Sequence, residues 1–119
     1  PMDVKSPHPL DLEQTRAKDA AKAIGTSCDK ALADAAKKAI ARLRSSGLLV
    51  TLVYGAKKEK EHTRIVDALA SHLKPGAKPM DLVKDLTTKD SATLRYENAR
   101  AEAYLVWLAR FADAAKAES

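Results

Sequence analysis

Apolar and polar residues recur with the period of an α-helix along most of the chain. When successive residues are placed about 100° apart, the clearest apolar arc is formed by Leu32, Ala36, Ala39, Ile40 and Leu43. Lysines and arginines occupy the opposite arc of the same stretch. This pattern predicts a helix that packs through one face and presents positive charge on the other.

Residues that favour helix ends divide the chain further. Pro9 and Asp11 open a first helix, and Gly25 is a candidate break between this helix and the next. A third amphipathic pattern covers residues 59–73, and the proline and glycine residues that follow it end the helix. Short and long helices are then predicted at residues 80–86 and 91–116. The longest helix has one apolar face formed by Leu94, Ala101, Tyr104, Leu105, Trp107, Leu108, Phe111, Ala112 and Ala115.

A continuous apolar run lies between Gly47 and Gly55, at residues 48–54. Its periodicity alone would allow either a buried strand or a buried helix. The chain has no second run of this kind, and a lone buried strand would leave its backbone donors and acceptors without partners. We therefore predict a buried helix.

These helices together predict an all-α protein, a compact single-domain helical bundle of four to six helices. The 119 residues fit one domain. We expect this domain to cover residues 11–116, after a disordered or extended segment at residues 1–10 and before a short tail at residues 117–119. Alanine supplies much of the 45% apolar content, which is typical of helices that pack closely through small side chains.

Other features of the composition indicate a cytoplasmic protein. Cys28 is the only cysteine, so an internal disulfide is impossible and a reducing compartment is expected. The sequence around it predicts a buried, unreactive thiol. Because Pro1 to Pro9 contain no apolar h-region, we do not expect secretion, and because the chain contains no stretch of 18 apolar residues, we do not expect it to span a membrane.

Positive charge is concentrated in one part of the chain. Residues 35–64 carry eight basic side chains against two acidic ones, whereas the rest of the chain is near neutral. Such a concentration makes an anionic partner such as RNA a candidate, beside the alternative of an ordinary solvated helix face. The candidate RNA-binding residues are Lys37, Lys38, Arg42, Arg44, Lys57, Lys58, Lys60 and Arg64. Since Tyr54 is the only aromatic residue among them, we expect phosphate contact with weak base stacking.

The remaining polar and aromatic candidates have structural interpretations. Trp107 and Phe111 stand four residues apart on an apolar face, which is typical of core aromatics. His62 and His72 are expected at the edge of the core, about 15 Å apart along a helix and too distant to share a metal ion. Two interpretations stay open for the charged residues at the edge of the last apolar face. They form either an ion pair at the rim or a contact in an interface, and they are Glu97 and Arg100.

Two segments resemble a known family. Residues 46–54, followed by Lys57 and Lys58, and the later stretch from Tyr96 to residues 102–112 resemble the small subunit of the type III-B CRISPR Cmr complex in residue type and spacing. The resemblance runs from about Leu12 to Ala115. Residues 38–40 lack the proline expected there, and Tyr54 stands where phenylalanine is more usual, so the related type III-A small subunit stays open.

The resemblance implies a non-catalytic, all-helical subunit that stacks in several copies along a ribonucleoprotein filament. Its implied partners are crRNA, target RNA, the backbone and large subunits of the Cmr complex and further copies of itself. It implies no cofactor, metal ion or small-molecule substrate.

Two other classes of function are compatible with the residues alone. A helical adaptor would use the basic face to bind an acidic protein. A small enzyme would need a site that the sequence does not reveal: the Gly55 to Lys58 segment lacks the upstream glycine and the hydroxyl residue of a phosphate loop, and Glu61-His62 lacks a second histidine at zinc-binding spacing.

Overall fold

The computed structural model describes residues 9–25, 30–58 and 60–118, with side chains from residue 12 to residue 115 of these ranges. The described ranges contain helices and no strand. The helices are α1 (Pro9–Ile24), α2 (Lys30–Ser46), α3 (Leu48–Ala56), α4 (Lys60–Leu73), α5 (Pro79–Leu86) and α6 (Ser91–Glu118). The prediction of an all-α bundle is confirmed.

The apolar run at residues 48–54 is helical, as predicted, and forms most of α3. The predicted break at Gly25 is also present, because α1 ends at Ile24 and Gly25 adopts a φ of 67°. Glycine reaches such a positive φ without the steric cost that a β-carbon imposes. Predictions for His8, Cys28, Glu59 and residues 1–8 lie outside the described residues.

The core forms where α6 packs along α1 and α2, and where α3 packs against α2, α4 and α5. Small side chains permit close approach of the long helices. The buried alanines of α2 and α6 are Ala33, Ala35, Ala36, Ala39, Ala101, Ala109 and Ala112. Larger residues, including Leu52, Leu69 and Leu105, fill the space between the helices. The core is therefore the alanine-rich interior that the composition predicts.

Trp107 and Phe111 pack against the edge of this core and are half buried. Their ring centroids lie 5.9 Å apart in a stacked arrangement. The indole Nε1–H of Trp107 donates a hydrogen bond to Glu13 Oε1 at 2.6 Å, which ties α6 to α1. The indole thus buries its apolar body and pairs its polar edge at the surface.

None of the helices in the described ranges combines the length and the apolar character needed to cross a membrane.

A side chain of α6 completes the start of α3. The backbone N–H of Leu48 donates a hydrogen bond to Asn98 Oδ1 at 2.9 Å. Gly47, which precedes the helix, has a φ of 91°. The Thr51 hydroxyl donates to the Gly47 carbonyl oxygen at 2.8 Å. One of the unpaired N–H groups at a helix start is therefore satisfied by a residue 50 positions away in sequence.

Replacing Asn98 with alanine should lower the free energy of unfolding by about 1 kcal/mol, because the half-buried Leu48 N–H loses its acceptor. Asn98→Asp keeps an acceptor oxygen and should retain most of the stability. Urea unfolding of both variants measures the difference, and equal destabilisation by the two would contradict the capping role.

Two helices approach each other closely at Gly55 in α3. A β-carbon at this position would lie 2.3 Å from Cγ1 of Val66 in α4, and 2.9 Å from its Cγ2. The Thr63 hydroxyl lies within hydrogen-bond distance of the carbonyl oxygens of Gly55 and Lys58, 3.1 Å from each. These contacts fix the end of α3 against the start of α4.

We expect Gly55→Ala to destabilise the protein by about 1–3 kcal/mol, although alanine is the better helix former, since the added methyl group overlaps Val66. Val66→Ala should relieve the overlap, so the double variant should lose less stability than the sum of the two single variants. Thermal or urea unfolding gives the three values. Stabilisation by Gly55→Ala would show that the helices can separate freely.

Candidate nucleic-acid interface

The eight basic residues predicted to bind RNA do not form one continuous surface. Four of them surround Tyr54 and are called the basic surface from here on; they are Lys38, Arg42, Lys57 and Lys58. Lys60 begins α4 shortly after them and is exposed. The other three predicted residues make contacts elsewhere.

Tyr54 stands at the centre of the basic surface. The guanidinium carbon of Arg42 lies 3.5 Å from the centroid of the tyrosine ring, and Lys58 Nζ lies 4.9 Å from it. The His62 ring meets the tyrosine edge-on at a centroid distance of 6.3 Å. Arg42 comes from α2, Tyr54 from α3 and His62 from α4, so three helices bring this arrangement together.

The local electrostatics follow from these distances. A hydrogen bond from the Lys58 side chain lowers the pKa of Tyr54, and the positive charges of Lys58, Arg42 and Lys38 lower it further. These cations favour the anionic form of a phenol at the surface. The same positive potential attracts any other anion that approaches this part of the molecule.

An open groove borders Tyr54 on the outer face of α3. It has a volume of about 630 Å³ and is lined by Leu49, Val50, Val53, Tyr54, Lys57 and Lys58. Val50 and Tyr54 are 48% and 37% exposed. The groove therefore combines an apolar floor with two lysines at one end.

Lys37 and Arg44 face the acidic side of α6 instead. Lys37 Nζ lies 3.2 Å from Asp113 Oδ1, and Arg44 Nε donates to Glu102 Oε2 at 3.0 Å. All four side chains are substantially exposed, so these pairs stabilise the fold only weakly. Their charges are already matched within the chain, which makes Lys37 and Arg44 weaker candidates for phosphate contact.

Arg64 forms hydrogen bonds with the C-terminal end of α1. Its Nη2 donates to the backbone carbonyl oxygens of Ala23 and Ile24 at 3.1 and 3.0 Å. These carbonyls belong to the last turn of the helix, where they lack partners within it. The guanidinium of Arg64 is thus committed to a contact that sequence spacing did not predict.

A second polar cluster joins α1, α4 and α6. His72 Nδ1 lies 2.7 Å from Asp19 Oδ2, and the His72 ring stacks on Tyr104 with centroids 4.2 Å apart. The His72 side chain is only 7% exposed, in agreement with its predicted place at the edge of the core. Burial raises the pKa of Tyr104, and the negative charge of Asp19 raises it further.

Glu97 and Arg100 form an ion pair one helical turn apart, at 2.8 Å. Arg100 Nη1 also lies 3.4 Å from the backbone oxygen of Leu73. An ion pair at the rim of the apolar face was one of the two interpretations that the sequence left open for these residues, the other being a contact in an interface. Within the described ranges, no three histidine, cysteine, aspartate or glutamate residues lie close enough to hold a metal ion.

Sequence reasoning missed the apolar floor of the groove and the capping role of Asn98. The floor residues were assigned to the core because a continuous apolar run hides which side chains face outward. A helical wheel of α3 separates them, since Leu48, Thr51, Leu52 and Gly55 are the buried set. No local signal identifies Asn98, because its partner is remote in sequence.

Fold and surface together define a small helical protein with a localised cationic surface beside an apolar groove. A family model described as CRISPR-associated protein (Cas_Cmr5) matches residues 12–115. The chain therefore belongs to this family of CRISPR-associated Cmr-type subunits, and the resemblance found in its sequence is confirmed. Neither the curated proteins nor the solved structures include a significant match to the chain.

The electrostatics of the two perturbed tyrosines can be measured directly. In an alkaline titration followed by tyrosinate absorbance, Tyr54 should ionise before Tyr104, because cations surround the first and burial opposes ionisation of the second. Tyr54→Phe should remove the earlier of these two transitions. If the Tyr54→Phe variant still shows the earlier ionisation, the cations do not lower the pKa of Tyr54.

Proposed function

We propose that this protein is the non-catalytic small subunit of a type III-B CRISPR ribonucleoprotein effector. Several copies stack along the crRNA filament beside the backbone and large subunits, and each copy contacts crRNA or target RNA through its basic surface. Cleavage is left to neighbouring subunits, and sequence specificity comes from guide pairing.

The convergence of cations on Tyr54 carries this proposal. Lys38 and Arg42 come from α2 and Lys58 follows α3, yet all three act on one exposed ring, and Lys57 lines the groove beside it. Most of the other predicted basic residues are matched by carboxylates or carbonyl oxygens. A cationic surface of this kind suits the phosphates of a nucleic-acid backbone. Membership of a CRISPR-associated family makes RNA the natural polyanion.

A tagged copy of the protein tests the assignment when it is recovered from its native host at moderate salt. Mass spectrometry of the proteins and sequencing of the RNA should reveal type III-B subunits together with crRNA. Recovery of type III-A subunits would assign the protein to a type III-A complex instead. Recovery of the chain with an unrelated partner, or alone, would contradict the proposal.

The double variant Lys57→Glu, Lys58→Glu should weaken RNA association and make it less sensitive to salt. Each phosphate neutralised on a single strand contributes about 0.7 to the slope of log affinity against log salt, so two lost contacts should reduce the slope by roughly 1.4. Binding of labelled single-stranded RNA at several salt concentrations measures this slope.

The control for that variant is Lys18→Glu, Lys22→Glu, which makes the same change of net charge. Both lysines are exposed on α1, and α1 packs on α4 and α6 rather than on α3. The control should keep most of the salt slope. If both double variants behave alike, RNA senses only the net charge and the basic surface is not a binding site.

A helical adaptor remains the second candidate because the groove has an apolar floor with lysines at one end. An acidic amphipathic helix from another protein would match such a surface. Nuclease treatment of the recovered assembly separates the two functions. Loss of the contact after RNA digestion supports RNA binding, whereas an association that resists nuclease supports the adaptor.

A further inference from the structure

We propose that the groove beside Tyr54 accepts an unpaired nucleobase, so that this surface selects single-stranded RNA over duplex RNA. The inference rests on the proposed function and adds a second kind of contact to it. Phosphates would bind the lysines, and a base would lie on the apolar floor between Val50 and Tyr54.

The first argument is that apolar side chains are exposed beside the lysines, although phosphate binding does not require apolar side chains. The inner face of α3 is buried, yet its outer face also carries Leu49, Val50 and Val53. Val50 is 48% exposed. Contact with phosphates alone would be served by lysine and arginine on a polar surface. An apolar floor beside those cations matches a ligand with both charged and flat apolar parts, which is the chemistry of an unstacked nucleotide.

The second argument is the way in which the tyrosine ring is held. Arg42 covers one face of the ring at 3.5 Å and is not among the residues that line the groove. Lys58, which does line the groove, has its Nζ 4.9 Å from the ring centroid. A base in the groove would therefore meet the ring beside this ammonium group and away from the guanidinium. Because Arg42 and His62 restrain the ring, a base that stacks there finds a partner already oriented.

The third argument is the distance between floor and lysines. Lys57 stands seven positions after Val50, just past the end of α3, which corresponds to roughly 10 Å along the helix axis. Both residues line the same groove. One nucleotide and its flanking phosphates can therefore reach the floor and the lysines together.

A duplex cannot make the same contact. Its bases are stacked on one another and paired, so that only their edges are accessible in the grooves of the helix. Insertion of a base face beside Tyr54 would require unstacking. The cations still attract the duplex backbone, and duplex RNA should bind through phosphates alone.

The test uses the full chain at low salt with three labelled RNAs of one length: a single strand, its duplex and a strand with abasic positions. The intact single strand should bind about ten-fold more tightly than the abasic strand. Tyr54→Ala should weaken single-strand binding by about ten-fold and leave duplex binding unchanged. Tyr54→Phe keeps the ring and should bind as the unaltered protein does.

Tyr96→Ala is the matched control, since Tyr96 is 63% exposed on α6 and also has an arginine, Arg100, 5.9 Å from its ring. Tyr96→Ala should change neither the affinity for single-stranded RNA nor the affinity for duplex RNA. Equal binding of intact and abasic strands, or equal losses for single strand and duplex in Tyr54→Ala, would overturn the base contact and leave phosphate binding in place. If the unaltered chain binds none of the three RNAs, the proposed function fails as well.

Discussion

The contact between α3 and α4 at Gly55 determines where the basic surface lies. Gly55 permits the two helices to approach until Val66 fills the space of a missing β-carbon. The Thr63 hydroxyl, near the start of α4, lies within hydrogen-bond distance of the carbonyl oxygens of Gly55 and Lys58. Tyr54 precedes this glycine and the lysines follow it. Their positions relative to α4 and its His62 therefore depend on this close contact, while the packing of α2 on α3 brings Arg42 to the same tyrosine.

The cations of α2 are divided between two sides of the same helix. Lys38 and Arg42 are four residues apart, share one side and act on Tyr54. Lys37 and Arg44 face α6, where Asp113 and Glu102 match them. The basic arc of α2, which looks like one surface in sequence, thus has one side matched by carboxylates and one side whose positive potential stays open to solvent.

Apolar and charged groups have complementary places in the proposed RNA contact. The lysines after α3 supply charge, which gives attraction without regard to sequence. The floor of the groove and the ring of Tyr54 offer a flat apolar surface of a kind that every base can use. Both kinds of contact are independent of base identity, which suits the proposed function, in which guide pairing supplies the specificity. The proposed base contact thus gives Tyr54 a larger role than the sequence suggested.

The sequence by itself determined the helices, most of their ends and the family. These features depend on local signals: Gly25 and Gly47 with positive φ, Pro79 at the start of α5, and apolar periodicity within each helix. The concentration of positive charge was also visible, because it is a property of composition.

Only the tertiary structure decided which basic side chains remain available to bind an anion and which groups lie beside them. Asn98 caps a helix 50 residues away, and Arg64 binds the end of α1 from α4. The pairing of His72 with Asp19 and the packing of Arg42 and His62 around Tyr54 likewise require elements that are remote in sequence to meet. Such contacts depend on how the helices pack against one another, and the period of each helix carries no information about its neighbours.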